Sequence, residues 1–130
     1  MSKSEKCYLV VHNRLGPLYE EPEKRLEPLV STWSPPVDIF ETPEDYIVTA
    51  EVPGMTPEDF KITAGTNWLS LRGDRKSESI CNQENYYRLE CVHGRFHRCF
   101  EFSEEIDPQA VTAALADGIL EVQLGKASAR

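Results

Sequence analysis

Two cysteine and histidine pairs lie close together in the sequence and are the residues best suited to metal or redox chemistry. Cys91 and His93 precede Gly94, and His97 and Cys99 follow it. On a hairpin that turns at Gly94, these thiol and imidazole side chains could point the same way, and such ligands suit zinc. The spacings C-x-H and H-x-C are tighter than those of typical zinc knuckles, and the residues alternate with aromatic side chains. We therefore predict no metal. The alternative is a metal-sensing or redox module that uses these four residues, and in the redox case Cys91 and Cys99 form the pair.

The sequence carries no pattern typical of a catalytic site. The motifs GxxxxGK[ST], GxSxG and HExxH do not occur in it. The neighbouring acids Glu104, Glu105 and Asp107 lie in a polar stretch typical of a solvated loop. No serine is marked as a nucleophile by its surroundings. We expect no enzymatic activity and no cofactor.

Composition and charge favour one acidic globular domain. The chain has 130 residues, 40% of them apolar, and a formal net charge of −8. An acidic domain repels phosphate backbones, so we expect no nucleic acid partner. No apolar run reaches membrane-spanning length, and the first residues do not resemble a signal peptide. The four cysteines form no C-x-x-C pair, and we expect them to be thiols in the cytoplasm.

From Val37 onward, apolar residues recur with the two-residue period of half-buried strands. Asp117-Gly118 between two apolar runs is a strong signal for a two-residue hairpin. No long helix interrupts the pattern, so we predict an all-β, two-sheet antiparallel immunoglobulin-like sandwich. The predicted strands are residues 37–41, 45–52, 60–63, 68–73, 86–92, 95–102, 111–115 and 119–124.

The ends of the chain differ from this domain. We predict a partly ordered N-terminal arm at residues 1–36, the sandwich at 37–124 and a short tail at 125–130. The apolar run at residues 7–11 fits two structures equally well, an extra strand packed on the core or an exposed adhesive segment. Residues 31–36, with two prolines, are predicted to be a linker.

Five short motifs in order make residues 36–124 resemble the α-crystallin domain of small heat-shock proteins of the bacterial and plant type. They are V-D-I-F-E at 37–41, A-E-V-P-G-M at 50–55, L-S-L-R-G-D-R at 69–75, G-R-F-H-R-C-F at 94–100 and A-A-L-A-D-G-I-L at 113–120. The resemblance implies an ATP-independent holding chaperone that binds partly unfolded client proteins and prevents their aggregation. A CS-domain-like co-chaperone that binds a partner chaperone is the alternative of related fold.

The resemblance also implies where partners bind. In the family, the opening strand of one chain pairs with a swapped loop and strand of the other, which gives a homodimer or a small oligomer. Arg98 matches the family's arginine near this contact, with an intrachain ion pair as the alternative. The implied dimer residues are Val37, Asp38, Ile39, Phe40, Glu41, Tyr86, Tyr87, Arg88, Leu89, Glu90 and Arg98.

A groove between two strands is the second implied site. The family docks a C-terminal I-x-I segment there, and no I-x-I follows Leu124 in this sequence. We expect an empty groove that accepts clients or another chaperone's tail, and a dimer or small oligomer in place of a large assembly. The same residues fit an ordinary core equally well. The groove candidates are Phe60, Ile62, Val111, Ala113 and Leu115.

Overall fold

Nine strands and two short 3-10 turns make up the part of the chain that the structure describes. The structure is a computed structural model, and it describes residues 7–9, 11–13, 33–76, 87–88 and 90–129. The turns are Pro57–Asp59 and Ala127–Ala129. The strands are β1 (Cys7–Leu9), β2 (Val11–Asn13), β3 (Val37–Glu41), β4 (Asp45–Glu51), β5 (Phe60–Ala64), β6 (Trp68–Arg75), β7 (Gly94–Glu101), β8 (Ile106–Ala116) and β9 (Ile119–Lys126).

The strands form two sheets that pack face to face. The five-stranded sheet has the order β1-β8-β9-β4-β3, and the four-stranded sheet has the order β2-β5-β6-β7. All pairs are antiparallel except β2 with β5, which is parallel. The predicted all-β sandwich is confirmed.

Strand alternation places the apolar residues between the sheets. Val48 on β4 lies opposite Val122 on β9, and both are fully buried. In the other sheet, Ile62 on β5 lies opposite Leu71 on β6, and these side chains are also buried. Because directly opposed residues share a face of the sheet, these pairs identify the inner faces.

The predicted hairpin at Asp117-Gly118 is present between β8 and β9. Both residues have positive φ, 54° at Asp117 and 76° at Gly118. Two consecutive residues with positive φ are characteristic of the hairpin turn whose twist matches that of the flanking strands. Gly118 also accepts the backbone N–H of Val52 at 2.7 Å, so the turn is tied to the end of β4.

The structure differs from the predicted strands at residues 86–92, and β8 begins at Ile106, five residues before the predicted start. A strand was predicted at residues 86–92, forming a hairpin with the next strand through His93 and Gly94. Among the described residues of that segment none is in a strand, and Gly94 begins β7, which pairs with β6. The hairpin prediction was wrong: β7 pairs with β6 along one edge, and its other edge has no strand beside it among the described residues.

Residues 33–36 pack against the sandwich, although the sequence predicts a linker there. The ring of Trp33 meets the buried ring of Phe96 edge to face, with centroids 5.1 Å apart. Its indole Nε1 donates to the carbonyl oxygen of Gly94 at 2.8 Å. The ring is packed against Phe96 and the indole N–H has a hydrogen-bond acceptor. These two contacts hold the chain just before β3 against the sandwich. The strand β9 likewise continues to Lys126, two residues past the predicted end at Leu124.

No helix in the described ranges combines the length and the apolar character needed to cross a bilayer.

Candidate interaction surfaces

The strands β3 and β7 are the outer strands of the two sheets on one side of the sandwich. We call this side the open side. An outer strand presents unpaired N–H and C=O groups, which are a template for pairing with another chain. The open side therefore has the backbone chemistry for strand addition.

Two large apolar side chains of β3 lie exposed on the open side. Ile39 lies opposite Val48, so it faces inward, yet 43% of its surface is exposed. Phe40 lies opposite Ile47 on the outer face and is 55% exposed. Asp38 is exposed as well, while Val37 packs against the core. These two side chains leave apolar surface beside the outer edge of β3 that a further contact could cover.

Glu41, the last residue of β3, forms an ion pair with Lys126 of the same chain. The ammonium group of Lys126, itself buried, lies 2.5 Å from Glu41 Oε2 and 3.2 Å from Glu104 Oε2. It also lies 5.0 Å from the centre of the Tyr46 ring. The hydrogen bond from Lys126 lowers the pKa of the Glu41 carboxyl, and the same bond raises the pKa of Lys126. This cluster joins the end of β9 to the end of the outer strand β3.

The described residues just before β7, 87–88 and 90–93, are exposed and lie outside any strand. Tyr87 is fully exposed and Val92 is 45% exposed. Arg88 and Glu90 form an ion pair of 2.9 Å between two exposed side chains, which contributes little to stability. Tyr86 and Leu89, also predicted as dimer residues, lie outside the described residues.

Two arginines form hydrogen bonds to backbone carbonyl groups near the open side. Arg98 on β7 donates through Nη1 to the carbonyl oxygen of Pro35 at 2.9 Å and to Ser34 Oγ at 3.2 Å. It thereby ties the outer strand β7 to the residues that lead into β3. Arg75 at the end of β6 donates to the carbonyl oxygen of Val92, from Nε at 3.1 Å and from Nη2 at 2.7 Å.

Arg75 is the residue that sequence reasoning missed. Its guanidinium also donates to the carbonyl oxygen of Pro53 at 3.0 Å and stacks on the Trp33 ring at 3.9 Å from the centroid. One side chain thus connects three segments that are distant in the sequence. The planar guanidinium has five N–H donors, which suits a side chain that contacts several segments. In the sequence, only its place as the last residue of the motif at 69–75 pointed to this residue.

The predicted groove residues lie on the other side of the sandwich, where β5 and β8 face each other across the two sheets. Ile62, Ala113 and Leu115 face inward and are buried, and Phe60 and Val111 are partly buried against the same core. The outer backbone edges of these two strands are paired, β8 with β1 and β5 with β2. The expectation of an empty groove was therefore wrong at its backbone edges, which these two short strands occupy.

The cysteines and histidines considered for metal binding are not brought together. Cys99 lies opposite Ser70 of β6, whereas Cys91 is exposed and outside any strand. His97 Nε2 lies 3.2 Å from Ser70 Oγ, and His93 is exposed. Across the described ranges, no three histidine, cysteine or acidic residues are grouped as metal ligands.

Comparison with known proteins agrees with the fold and the motifs. Residues 38–130 match the Hsp20/alpha crystallin family. The 22.7 kDa class IV heat shock protein of Pisum sativum is 33% identical over 103 residues, which are 78% of this chain and 52% of that protein. The crystal structure of hspA from Xanthomonas axonopodis is 36% identical, with a TM-score of 0.68 over 77% of this chain and all of that one. A small heat-shock protein from Xylella fastidiosa is 34% identical, with a TM-score of 0.67 over 74% of this chain and 88% of that one.

The chain spans little more than half the length of the curated relatives it matches. The alignments cover 52% of the Pisum sativum protein and 57% and 58% of the next two relatives.

Proposed function

The chain belongs to the Hsp20/alpha crystallin family, and we propose that it is an ATP-independent holding chaperone that binds partly unfolded proteins and prevents their aggregation. The family and the fold support a chaperone role in general. The observation that carries the proposal is the family match over residues 38–130, which includes every strand from β4 onward. The proposed activity makes and breaks no covalent bond, so the chain acts as a binding protein and not as an enzyme.

The surface chemistry supports this role. Unfolded chains expose apolar segments and unpaired strand edges, and these are the groups that aggregate. The sandwich also has outer strands, and one of them, β3, carries the exposed apolar residues Ile39 and Phe40. The net charge of −8 keeps such a protein and its captured partner dispersed. Cys91 is an exposed thiol, which suits a reducing compartment such as the cytoplasm.

We also propose that two chains pair through their open sides. The free edge of β3 receives the segment at residues 86–90 of the second chain as an added strand. Within one chain this segment has Tyr87 fully exposed and no strand neighbour for its described residues. In a two-fold dimer each chain contributes one β3 edge and one 86–90 segment, so the same strand pairing forms twice. Arg98 holds β7 and the entry to β3 in place beside this contact.

The holding function is tested by an aggregation assay without ATP. A thermolabile enzyme is heated alone and with increasing amounts of the chain, and light scattering is recorded. We expect suppression that saturates near one chain per client molecule. An equal mass of serum albumin controls for crowding. Scattering that matches the albumin control at a tenfold excess of the chain would contradict the proposal and favour a partner-binding module.

A further inference from the structure

The outer face of the five-stranded sheet carries charge of one sign. The five strands of this sheet contain a single cationic residue, Lys126. Lys126 is buried, and its ammonium group is already paired with Glu41 and Glu104. No lysine or arginine of these strands therefore lies on the outer face, whereas several acidic residues do.

Three carboxylates surround Thr49 at the centre of this outer face. Thr49 alternates with buried core residues on β4, so its side chain points away from the core. Asp38 of β3 and Glu121 of β9 lie directly opposite it on its two sides, and Glu51 is the next outward residue of β4. Opposed side chains are about 5 Å apart, and outward neighbours along one strand are about 7 Å apart. In the described part of the chain, none of the three carboxylates has a hydrogen-bond or ion-pair partner.

Apolar surface and a cavity lie beside these carboxylates. Ile119, opposite Glu51 on β9, is 40% exposed. A cavity of about 230 Å³ is lined by Ile119 and Pro36 on its apolar side and by Asp38, Thr49 and Glu51 on its polar side. This volume is smaller than that of the pockets that hold drug-sized ligands, and it suits one long side chain. A long cationic side chain matches the lining, because its methylene stem packs on Ile119 while its charged end reaches the two carboxylates.

We propose that this surface, the acidic face, binds a cationic segment of another protein in which arginine or lysine side chains stand beside an apolar residue. The acidic face consists of Asp38, Thr49, Glu51, Ile119 and Glu121. Charge complementarity selects the occupant, because unpaired carboxylates attract cationic side chains and repel phosphate and acidic proteins. Arginine is favoured over lysine, since its planar guanidinium donates two parallel hydrogen bonds to one carboxylate. An extended segment matches the spacing, because its alternate side chains are about 7 Å apart, as are the outward residues of β4. The inference does not depend on the holding function.

A second copy of this chain matches the acidic face less well than a cationic segment does. The exposed cations on the outer face of the four-stranded sheet are Lys61 and Arg95. Arg95 lies opposite Asp74 on β6, and Glu58 and Asp59 line the same depression as the two cations. A copy docked through this surface would bring carboxylates against carboxylates, and juxtaposed like charges oppose association.

A peptide titration followed by NMR on the isotope-labelled full chain tests the proposal. The probe is the peptide S-R-S-R-S-L-S, and the control peptide carries glutamate in place of both arginines. We expect the arginine peptide to shift the backbone amide signals of Thr49, Glu51 and Glu121 with a Kd below about 1 mM in about 50 mM salt. Binding should weaken in about 500 mM salt, because salt screens exposed charges. The glutamate peptide should cause no shift at these residues. No saturable shift with the arginine peptide, or equal shifts with both peptides, overturns the proposal.

Two double variants with the same net charge then separate a site from general attraction. We expect Glu51→Gln with Glu121→Gln to raise the Kd of the arginine peptide at least about fivefold, since each removes a carboxylate that contacts it. The matched control is Glu58→Gln with Glu105→Gln, at two exposed positions outside the acidic face, and it should raise the Kd less than about twofold. Urea titration checks that both variants remain folded.

Two results of this comparison would contradict the proposal. An equal loss of binding in the two variants would show that net charge attracts the peptide without a site. A chain that binds no peptide, and that associates with itself in analytical ultracentrifugation until Glu51→Gln with Glu121→Gln abolishes the association, would assign the acidic face to a second copy. Either result overturns the proposal.

Discussion

The dimer contact proposed for the open side can be tested with a double substitution in β3. We expect Ile39→Ala with Phe40→Ala to weaken dimerisation and to leave the fold of the single chain intact. Full burial of such side chains stabilises by about 1.5–3 kcal/mol. With 43% and 55% of their surfaces still exposed, about 1 kcal/mol for each remains to be gained on association. A two-fold dimer buries each residue twice, which gives about 4 kcal/mol, or roughly a thousandfold rise in Kd.

Analytical ultracentrifugation over a range of concentrations measures this change in Kd. The control is Ile119→Ala, because Ile119 has a similar exposed fraction of 40% but lies in β9, with β4 between it and β3. We expect the control to change Kd by less than about threefold, since an exposed side chain outside the contact contributes little. Because about half of each side chain is already buried in the single chain, urea unfolding of the double variant should show a loss of about 2 kcal/mol in the single chain's stability, with the fold retained. An unchanged Kd in the double variant, or an equal loss in the control, would refute the pairing through β3.

Three further predictions concern the contacts that shape the sandwich. In Gly73→Ala, the added Cβ would run into the ring of the buried Phe96, so overpacking should lower the free energy of unfolding by about 1–3 kcal/mol in urea titration. In Trp33→Phe, the bond to the Gly94 carbonyl is lost, and we expect a cost of about 1–2 kcal/mol, measured by the same titration. Glu41 has a lowered pKa, so its stabilising effect is present above its ordinary value of 4.5 and is lost as the pH falls through the lower folded-state value. Lys126 has a raised pKa, so its stabilising effect is present below its ordinary value of 10.5 and is lost as the pH rises through the higher folded-state value. Glu41→Gln removes the ion pair, so a plot of the urea unfolding midpoint against pH should become flatter at both its acid and its alkaline end. An unaltered plot would contradict a stabilising ion pair.

The sandwich and its hairpin could be predicted because they depend on local patterns. The alternation of Val48 with its neighbours on β4, and the Asp117-Gly118 turn, each carry their own signal in a few consecutive residues. These patterns decide which face of each strand is buried, and the sandwich follows from the number of such strands. The family motifs lie on the same strands.

The parts that sequence reasoning missed depend on neighbours that are distant in the chain. Trp33 lies between serine and proline residues that favour a linker, and its partner Phe96 is far away in the sequence. The composition of residues 7–11 is compatible with any apolar edge, and only the tertiary fold pairs β1 with β8 and β2 with β5. The segment containing Tyr87 has the composition of a strand, but its described residues pair with no strand in the part of the chain that the structure describes. Strand propensity predicts how well a segment fits a sheet and not whether an edge is available.

The most direct test of the holding function follows a heated client into its complex. A thermolabile enzyme is heated with the chain in the absence of ATP, and the soluble fraction is analysed by size-exclusion chromatography with multi-angle light scattering. We predict that the client elutes together with the chain in a complex larger than either protein, and that no such complex forms without heating. A client that precipitates, or that elutes free of the chain while aggregation proceeds, would contradict the function proposed for this protein.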